Sequence, residues 1–183
     1  MQEIQIREAA PQDAQAILSY MKQIGAETDN LTYGAQGLPI TVGQEQAFLQ
    51  DMRDDAHCVF YCAWKDGTLV GTGSLSGLPR RMSHRGELGI SVLKAEWGRG
   101  IGSMLMRSLI TYARNSGIEL INLEVRSDNA AAIHLYEKFG FKRIGTSPAF
   151  FKVGTQYVDF DLMYLDLRQP GFTPPVRVVH VRP

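Results

Sequence analysis

The chain has 183 residues, of which 44% are hydrophobic and 21% charged, a balance typical of one globular domain with a sizeable core. Lysine plus arginine equals aspartate plus glutamate at 19 each, so no net charge attracts the chain to nucleic acid or to an anionic membrane. The longest apolar run is too short to span a bilayer, and the N-terminus has no signal pattern. We therefore expect a cytoplasmic protein with no nucleic-acid or membrane partner and no metal site.

The first half of the chain predicts a strand over 3–7, helices over 11–25 and 41–52, and paired strands over 57–64 and 68–76. Pro11 is favoured at the first position of a helix. Thr41 and Gln44 have the spacing of a capping box, which marks the start of the second helix. The dipeptide Asp66-Gly67 is a strong tight-turn signal, so it should join the two strands as a hairpin.

The second half predicts strands over 86–94, 119–125, 141–146 and 156–166, with helices over 100–115 and 129–139. The strand–helix–strand unit from residue 86 to 125 should place two strands parallel through a right-handed crossover. The fold class is therefore α+β, an α/β sandwich with a mixed, mostly antiparallel sheet and one parallel crossover. We predict one domain over 1–168 and a proline-rich tail over 169–183.

A glycine-rich turn joins the strand 86–94 to the next helix. Gly98, Gly100 and Gly102 alternate there, and glycine lets backbone N–H groups approach a ligand closely. The first N–H groups of a helix lack internal partners, and the helix dipole favours an anion beside them. Arg99 adds a positive charge. The turn therefore predicts a diphosphate site, although glycine spacing alone is equally typical of a turn that binds nothing.

Two other phosphate motifs do not fit this turn. The dinucleotide fingerprint would require glycine where Ser103 or Leu105 stands. The P-loop would require Gly-Lys-Ser/Thr, a tripeptide that the sequence does not contain.

A second segment, over residues 122–141, follows the turn at a fixed place in the chain. Asn129 is a suitable N-cap for its helix, Tyr136 lies two helical turns further on, and Gly140-Phe141 ends the helix. Together with the glycine turn, this segment resembles the GNAT superfamily of acetyl-CoA-dependent N-acetyltransferases. The superfamily's motif, Gln/Arg-x-x-Gly-x-Gly/Ala, falls on residues 97–102, and the resemblance covers about residues 3–166.

The resemblance implies a GNAT-like acyl-CoA N-acyltransferase fold and acetyl-CoA as cosubstrate. The residues that it assigns to the cofactor are Val92, Gly98, Arg99, Gly100, Ile101, Gly102, Ser103, Asn129 and Tyr136. One position departs from the family pattern, because Trp97 stands where Gln or Arg is usual. The backbone contacts do not depend on that side chain, which we expect to pack under the turn.

The resemblance also implies direct attack of an amine on the thioester. An alkylammonium has a pKa of about 10.4, so a base or a water chain must remove its proton. A backbone N–H near Val92 could stabilise the charge that develops on the carbonyl oxygen. Tyr136 is the candidate acid for the leaving thiolate, with packing or a hydrogen bond to the sulfur as the alternative.

Two carboxylates compete for the role of base. Glu87 lies at the start of the strand 86–94, and Glu124 lies on the neighbouring strand. Parallel strands could bring both into one cleft, and relatives of the family use either position. Each glutamate could instead be a salt-bridge partner of Arg85 or Arg126, so the assignment stays open between Glu87, Glu124 and a water chain.

The resulting hypothesis is an acyltransferase that moves an acetyl group from acetyl-CoA to a primary amine, either a small amine or a peptide N-terminus. The alternatives are a catalytically silent coenzyme-A sensor on the same fold and an unrelated nucleotide-phosphate binder. Residues 20–45 and 147–158 should form the acceptor pocket, but they carry no sharp chemical signature. A homodimer is possible, for example through a valine-rich strand over 176–181.

Overall fold

The computed structural model describes residues 4–168, which form a seven-stranded sheet with helices on both faces. The strands are β1 (Ile4–Glu8), β2 (Cys58–Lys65), β3 (Thr68–Gly77), β4 (Arg85–Val92), β5 (Leu120–Arg126), β6 (Lys142–Val153) and β7 (Gln156–Asp166). The helices are α1 (Ala14–Glu27), α2 (Val42–Asp54), α3 (Ile101–Asn115) and α4 (Ala130–Lys138). The predicted tail and its strand over 176–181 lie outside the described residues.

The sheet has the order β1-β2-β3-β4-β5-β7-β6. Its neighbouring strands pair antiparallel except for β4 and β5, which are parallel and are connected through α3. The predicted mixed sheet with a parallel crossover is therefore confirmed. None of the described helices is long and apolar enough to cross a membrane.

The capping box and the hairpin turn form as the sequence predicts. Thr41 accepts a hydrogen bond from the backbone of Gln44, and the Gln44 side chain accepts one from the backbone of Thr41 in return. Asp66 and Gly67 both adopt positive φ, which a tight two-residue hairpin turn requires. Short-range interactions therefore set both the start of α2 and the position of the turn between β2 and β3.

The last hairpin corrects the prediction, which ended its first strand at residue 146. β6 continues to Val153, and its register with β7 shifts between Ser147 and Phe151. Pro148 lacks a backbone N–H and cannot donate to the ladder, so pairing is interrupted there and resumes beyond it. The segment 147–158 is therefore an irregular hairpin rather than a loop.

The sheet separates two layers of helices. α3 packs against β3, where a Cβ on Gly71 or Gly73 would meet its leucine side chains. α1 lies on the opposite face, because the hydroxyl of Tyr20 is 2.9 Å from Oγ of Ser91 in β4. α2 shares that face, with Met52 beside Ser76 of β3. We refer to the face covered by α1 and α2 as the α1–α2 face and to the opposite one as the α3–α4 face. Along each strand, successive side chains point to the two faces in alternation.

Candidate active site

A gap opens between β4 and β5. Their parallel ladder runs only from Arg85 paired with Leu120 to Glu87 paired with Asn122. β4 continues to Val92 and β5 to Arg126, so the two strands extend well beyond their last paired residues. The two C-terminal strand ends therefore frame an opening in the middle of the sheet.

Backbone polar groups point into this gap. The N–H of Leu93 bonds to the carbonyl of Val70 on the β3 side, and antiparallel pairing alternates along a strand. The N–H and C=O of Val92 therefore point the other way, toward β5. By the same argument, the bond from Ser127 to Asp159 on the β7 side directs the backbone of Glu124 toward β4. Both edges of the gap thus offer main-chain hydrogen-bonding groups.

Trp97 reaches back to the edge of the gap. Its indole Nε1 donates a hydrogen bond to the carbonyl of Val92 at 2.8 Å, and 56% of the residue is exposed. The expectation that Trp97 packs under the turn is therefore wrong. The carbonyl of Val92 is thus hydrogen-bonded to the indole of Trp97. The main-chain N–H of Val92 is the group that remains available in the gap.

The glycine turn has the backbone conformation that its sequence predicts. Gly98 and Gly100 have φ of 75° and 82°, a region that costs other residues about 1–2 kcal/mol. A Cβ at either position would meet nothing within 4 Å. Glycine is therefore favoured at both positions by the backbone φ angle and not by a lack of room for a side chain. Gly100 is the N-cap of α3, and the first helical bond runs from Met104 to Gly100. The N–H groups of residues 101–103 therefore have no partner within the helix.

Gly102 is required for a different reason. A Cβ there would lie 3.0 Å from Cδ2 of Leu135 in α4. The glycine therefore lets the start of α3 approach α4 closely, which brings the two segments of the sequence motif together.

A group of three charges flanks the turn. Glu96 accepts a hydrogen bond from Lys65 at 2.8 Å, and its other oxygen lies 3.3 Å from Nε of Arg99. The hydrogen bond from Lys65 and the charge of Arg99 hold the pKa of Glu96 below its usual value. The group has a net charge of +1, so the predicted cation Arg99 is partly compensated. Sequence reasoning missed Lys65 and Glu96, since nothing in the sequence connects the β2–β3 hairpin to the turn.

The second motif segment lies across the gap on the α3–α4 face. Asn129 caps α4 by accepting a hydrogen bond from the backbone of Ala132, as predicted. Tyr136 is buried in the core, with its ring 5.8 Å from that of Phe141. Burial raises the pKa of Tyr136 to about 12, so its hydroxyl is protonated at neutral pH.

The two candidate bases share the α1–α2 face. Glu87 pairs with Asn122, which lies two residues before Glu124 on β5. Partial burial, followed by the charge of Glu87, raises the pKa of Glu124. Within residues 4–168 neither glutamate forms an ion pair, since Arg126 pairs with Asp128 and Arg85 donates to Asn122. The register thus brings both carboxylates to the same face of the sheet beside the gap.

This combination of a glycine turn, a gap between parallel strands and a buried tyrosine defines an acyl-CoA-dependent N-acyltransferase. A model of the acetyltransferase (GNAT) family matches residues 26–141, and the chain belongs to this family. It is an N-acetyltransferase that uses acetyl-CoA.

Relatives with assigned activities support this class. The chain is 33% identical over 162 residues to the L-amino acid N-acetyltransferase AaaT of Escherichia coli (strain K12), covering 87% of this chain and 95% of the relative. It is 26% identical over 165 residues, 88% of this chain and 94% of the relative, to an L-methionine sulfoximine/L-methionine sulfone acetyltransferase of Pseudomonas aeruginosa. It is 40% identical over 98 residues to the N-alpha-acetyltransferase RimI of Mycobacterium tuberculosis, a match that covers 53% of this chain and 60% of the relative.

Solved structures share the fold. A GNAT-family acetyltransferase from Streptococcus pneumoniae superposes with a TM-score of 0.87 at 29% identity, covering 90% of this chain and 99% of that one. The yncA protein of Salmonella typhimurium, solved with acetyl-CoA, has a TM-score of 0.79 at 21% identity, with coverage of 95% and 99%. The latter similarity is one of fold.

Proposed function

We propose that the chain acetylates the α-amine of a free amino acid and that the acceptor binds on the α1–α2 face. The observation that carries this proposal is the pair Glu87 and Glu124 beside the gap, where an ammonium group can be held and deprotonated. Two relatives, which match 87% and 88% of this chain, act on amino acids or their analogues by name.

The cofactor would bind along the gap. Its diphosphate would meet the N–H groups at the start of α3, with Arg99 beside it. The thioester would then lie between the diverging strands, where the N–H of Val92 is directed. A backbone donor at a developing oxyanion contributes about 3 kcal/mol to the transition state. Asn129 and Tyr136 would close the cofactor site from the α3–α4 face.

Glu124 is the proposed base. It takes a proton from the acceptor ammonium, and the neutral amine attacks the thioester carbonyl. The C–N bond forms, the C–S bond breaks, and Tyr136 donates its proton to the departing thiolate. The acetylated nitrogen then loses its second proton to the Tyr136 phenolate through solvent, which gives the neutral amide, and Glu124 releases the first proton to water. Because burial and Glu87 raise the pKa of Glu124 toward the working pH, its carboxylate is a stronger base than an ordinary one.

Acetylation of a protein or peptide N-terminus is the second candidate. The similarity to the RimI enzyme favours it, although that match covers about half of the chain. The two candidates differ in one chemical respect, because a free amino acid carries an α-carboxylate next to its amine and a peptide N-terminus does not.

Thiol release from acetyl-CoA tests the proposal with a panel of free amino acids, polyamines and short peptides. We expect turnover with free amino acids. Turnover with peptides alone would favour the second candidate. Binding of acetyl-CoA without turnover on any amine would contradict both and leave the sensor hypothesis.

We also propose that the protein acts in the cytoplasm, with no nucleic-acid or membrane partner. The homodimer predicted from the tail stays a prediction. Truncation after residue 168 tests it, because an unchanged mass in solution would exclude the tail as the dimer contact.

A further inference from the structure

Arg85 is a cation on the α1–α2 face whose hydrogen-bond partner is a neutral amide. It lies at the start of β4, two residues before Glu87, and its Nη2 donates to Oδ1 of Asn122 at 2.6 Å. Within residues 4–168 its guanidinium has no acidic partner at ion-pair distance, whereas Arg7 and Arg126 each pair with an aspartate. A half-buried cation held only by a neutral amide is available to an anionic ligand.

Asn122 extends this donor group toward the gap. Its Oδ1 is engaged by Arg85, which leaves the two hydrogens of Nδ2 for another acceptor. A guanidinium has five N–H donors in a planar arrangement that matches a carboxylate. The pair therefore offers several donors and one positive charge at the surface of the sheet.

An opposite charge lies at a suitable distance. Glu124 follows Asn122 by two residues on β5, which places it about 7 Å further along the strand on the same face. In an α-amino acid the carboxylate and the ammonium are attached to one carbon. Hydrogen bonds of about 3 Å at each end let such a molecule bridge the two positions. The face thus has the charge pattern of a receptor for a zwitterion.

The surroundings limit what this receptor admits. Met52 at the end of α2 contacts Ser76, the β3 partner of Glu87, and so bounds the site on one side. On the other side, β7 presents the half-buried Leu162 and Tyr164, the partners of Glu124 and Asn122. These two side chains would contact the acceptor side chain, so apolar amino acids fit best.

We propose that Arg85 and Asn122 bind the α-carboxylate of the acceptor and hold its amine beside Glu124. This rests on the proposed function, because it requires a free amino acid as acceptor. Amides and peptide N-termini lack the carboxylate and lose the contact with Arg85. Arg85 is therefore the residue that selects free amino acids over peptides.

The test compares two acceptors on two enzymes. L-Methionine and L-methioninamide differ only in the carboxylate, and their kcat/KM ratio is measured for the wild type and for Arg85→Gln. Because the amide also changes the pKa of the amine, the change in this ratio between the two enzymes is the readout. We expect the substitution to lower the ratio about 10- to 100-fold, the range of a charged hydrogen bond, and to leave the KM for acetyl-CoA unchanged.

Two further variants complete the experiment. Arg81→Gln removes an exposed charge on the short turn before β4 and should leave the ratio unchanged. Arg85→Lys keeps the charge without the planar donors, so an intermediate ratio is expected; this variant also tests the proposal if Arg85→Gln does not fold.

The outcomes separate the two proposals. If the wild type acetylates amino acids and the ratio is the same for the wild type, Arg85→Gln and Arg85→Lys, the role of Arg85 is overturned and the amino-acid acceptor stands. If the wild type acetylates peptides or simple amines but no amino acid, both proposals are overturned.

Discussion

The glycine turn and the α1–α2 face are assembled in opposite ways. The turn is one contiguous segment, residues 98–103, and the groups that it offers to a ligand are main-chain N–H groups positioned by two glycines with positive φ. The face depends on side chains from two strands, and its Arg85 and Asn122 are 37 residues apart in sequence. The proposed cofactor site thus depends on local main-chain conformation. The proposed acceptor site depends on the register of β4 and β5, so one substitution there should change chemistry or specificity.

The most severe test of this comparison is Glu124→Gln. If the face supplies the base, turnover should fall about 10²- to 10⁴-fold, because the amide cannot accept the ammonium proton. Binding of acetyl-CoA, measured by calorimetry, should not change, since the turn is untouched. Glu137→Gln, on the exposed side of α4, is the matched control. A small effect of Glu124→Gln would instead favour Glu87 or a water chain.

Tyr136→Phe tests the contribution of the α3–α4 face. Turnover should fall about 100-fold while the affinity for acetyl-CoA stays close to that of the wild type, because only the proton donor is lost. Tyr112→Phe serves as the control, because among residues 4–168 that hydroxyl hydrogen-bonds only to the main-chain carbonyls of Ala56 and Cys58. Equal rates for Tyr136→Phe and the wild type would show that the hydroxyl is not the acid.

Gly102→Glu separates charge from bulk at the turn. Both this variant and Gly102→Gln must displace Leu135, so both should weaken acetyl-CoA binding. The negative charge beside the helix N-terminus should add about two- to fivefold to the loss, and added salt should reduce this difference. Unchanged affinity in both variants would argue against phosphate binding at the turn.

Glu87→Gln should have the smallest effect, a shift in pH dependence. The charge of Glu87 contributes to the raised pKa of Glu124, so removing it should lower that pKa. The base then stays ionised to lower pH, and the acidic limb of the kcat/KM profile should move in that direction. Loss of activity at all pH values would mean that Glu87 is itself the base.

Short-range signals predicted most of the fold. The capping box at Thr41, the Asp66-Gly67 turn and the Asn129 cap each depend on neighbouring residues, and each forms as expected. The extent of β6 was missed, because pairing with β7 resumes beyond Pro148 and this is decided by the partner strand.

The site, like the fold, has parts that the sequence predicted and parts that it did not. The glycine turn and Tyr136 could be identified from their motifs. The contacts of Glu96 with Lys65 and of Arg85 with Asn122 could not, since they join segments far apart in sequence. The exposed position of Trp97 also escaped prediction, because its partner is a main-chain carbonyl.

The sequence by itself determined the family, the cofactor and the two carboxylates that could act as base. These follow from the resemblance to the GNAT superfamily, whose two motifs each consist of residues close together in the chain. Only the tertiary structure decided that Glu87 and Glu124 share a face of the sheet and that Glu124 has the raised pKa. Only it showed that Arg85 lies near them with no acidic partner among residues 4–168. The reason is physical, because distances between side chains on different strands depend on register and packing.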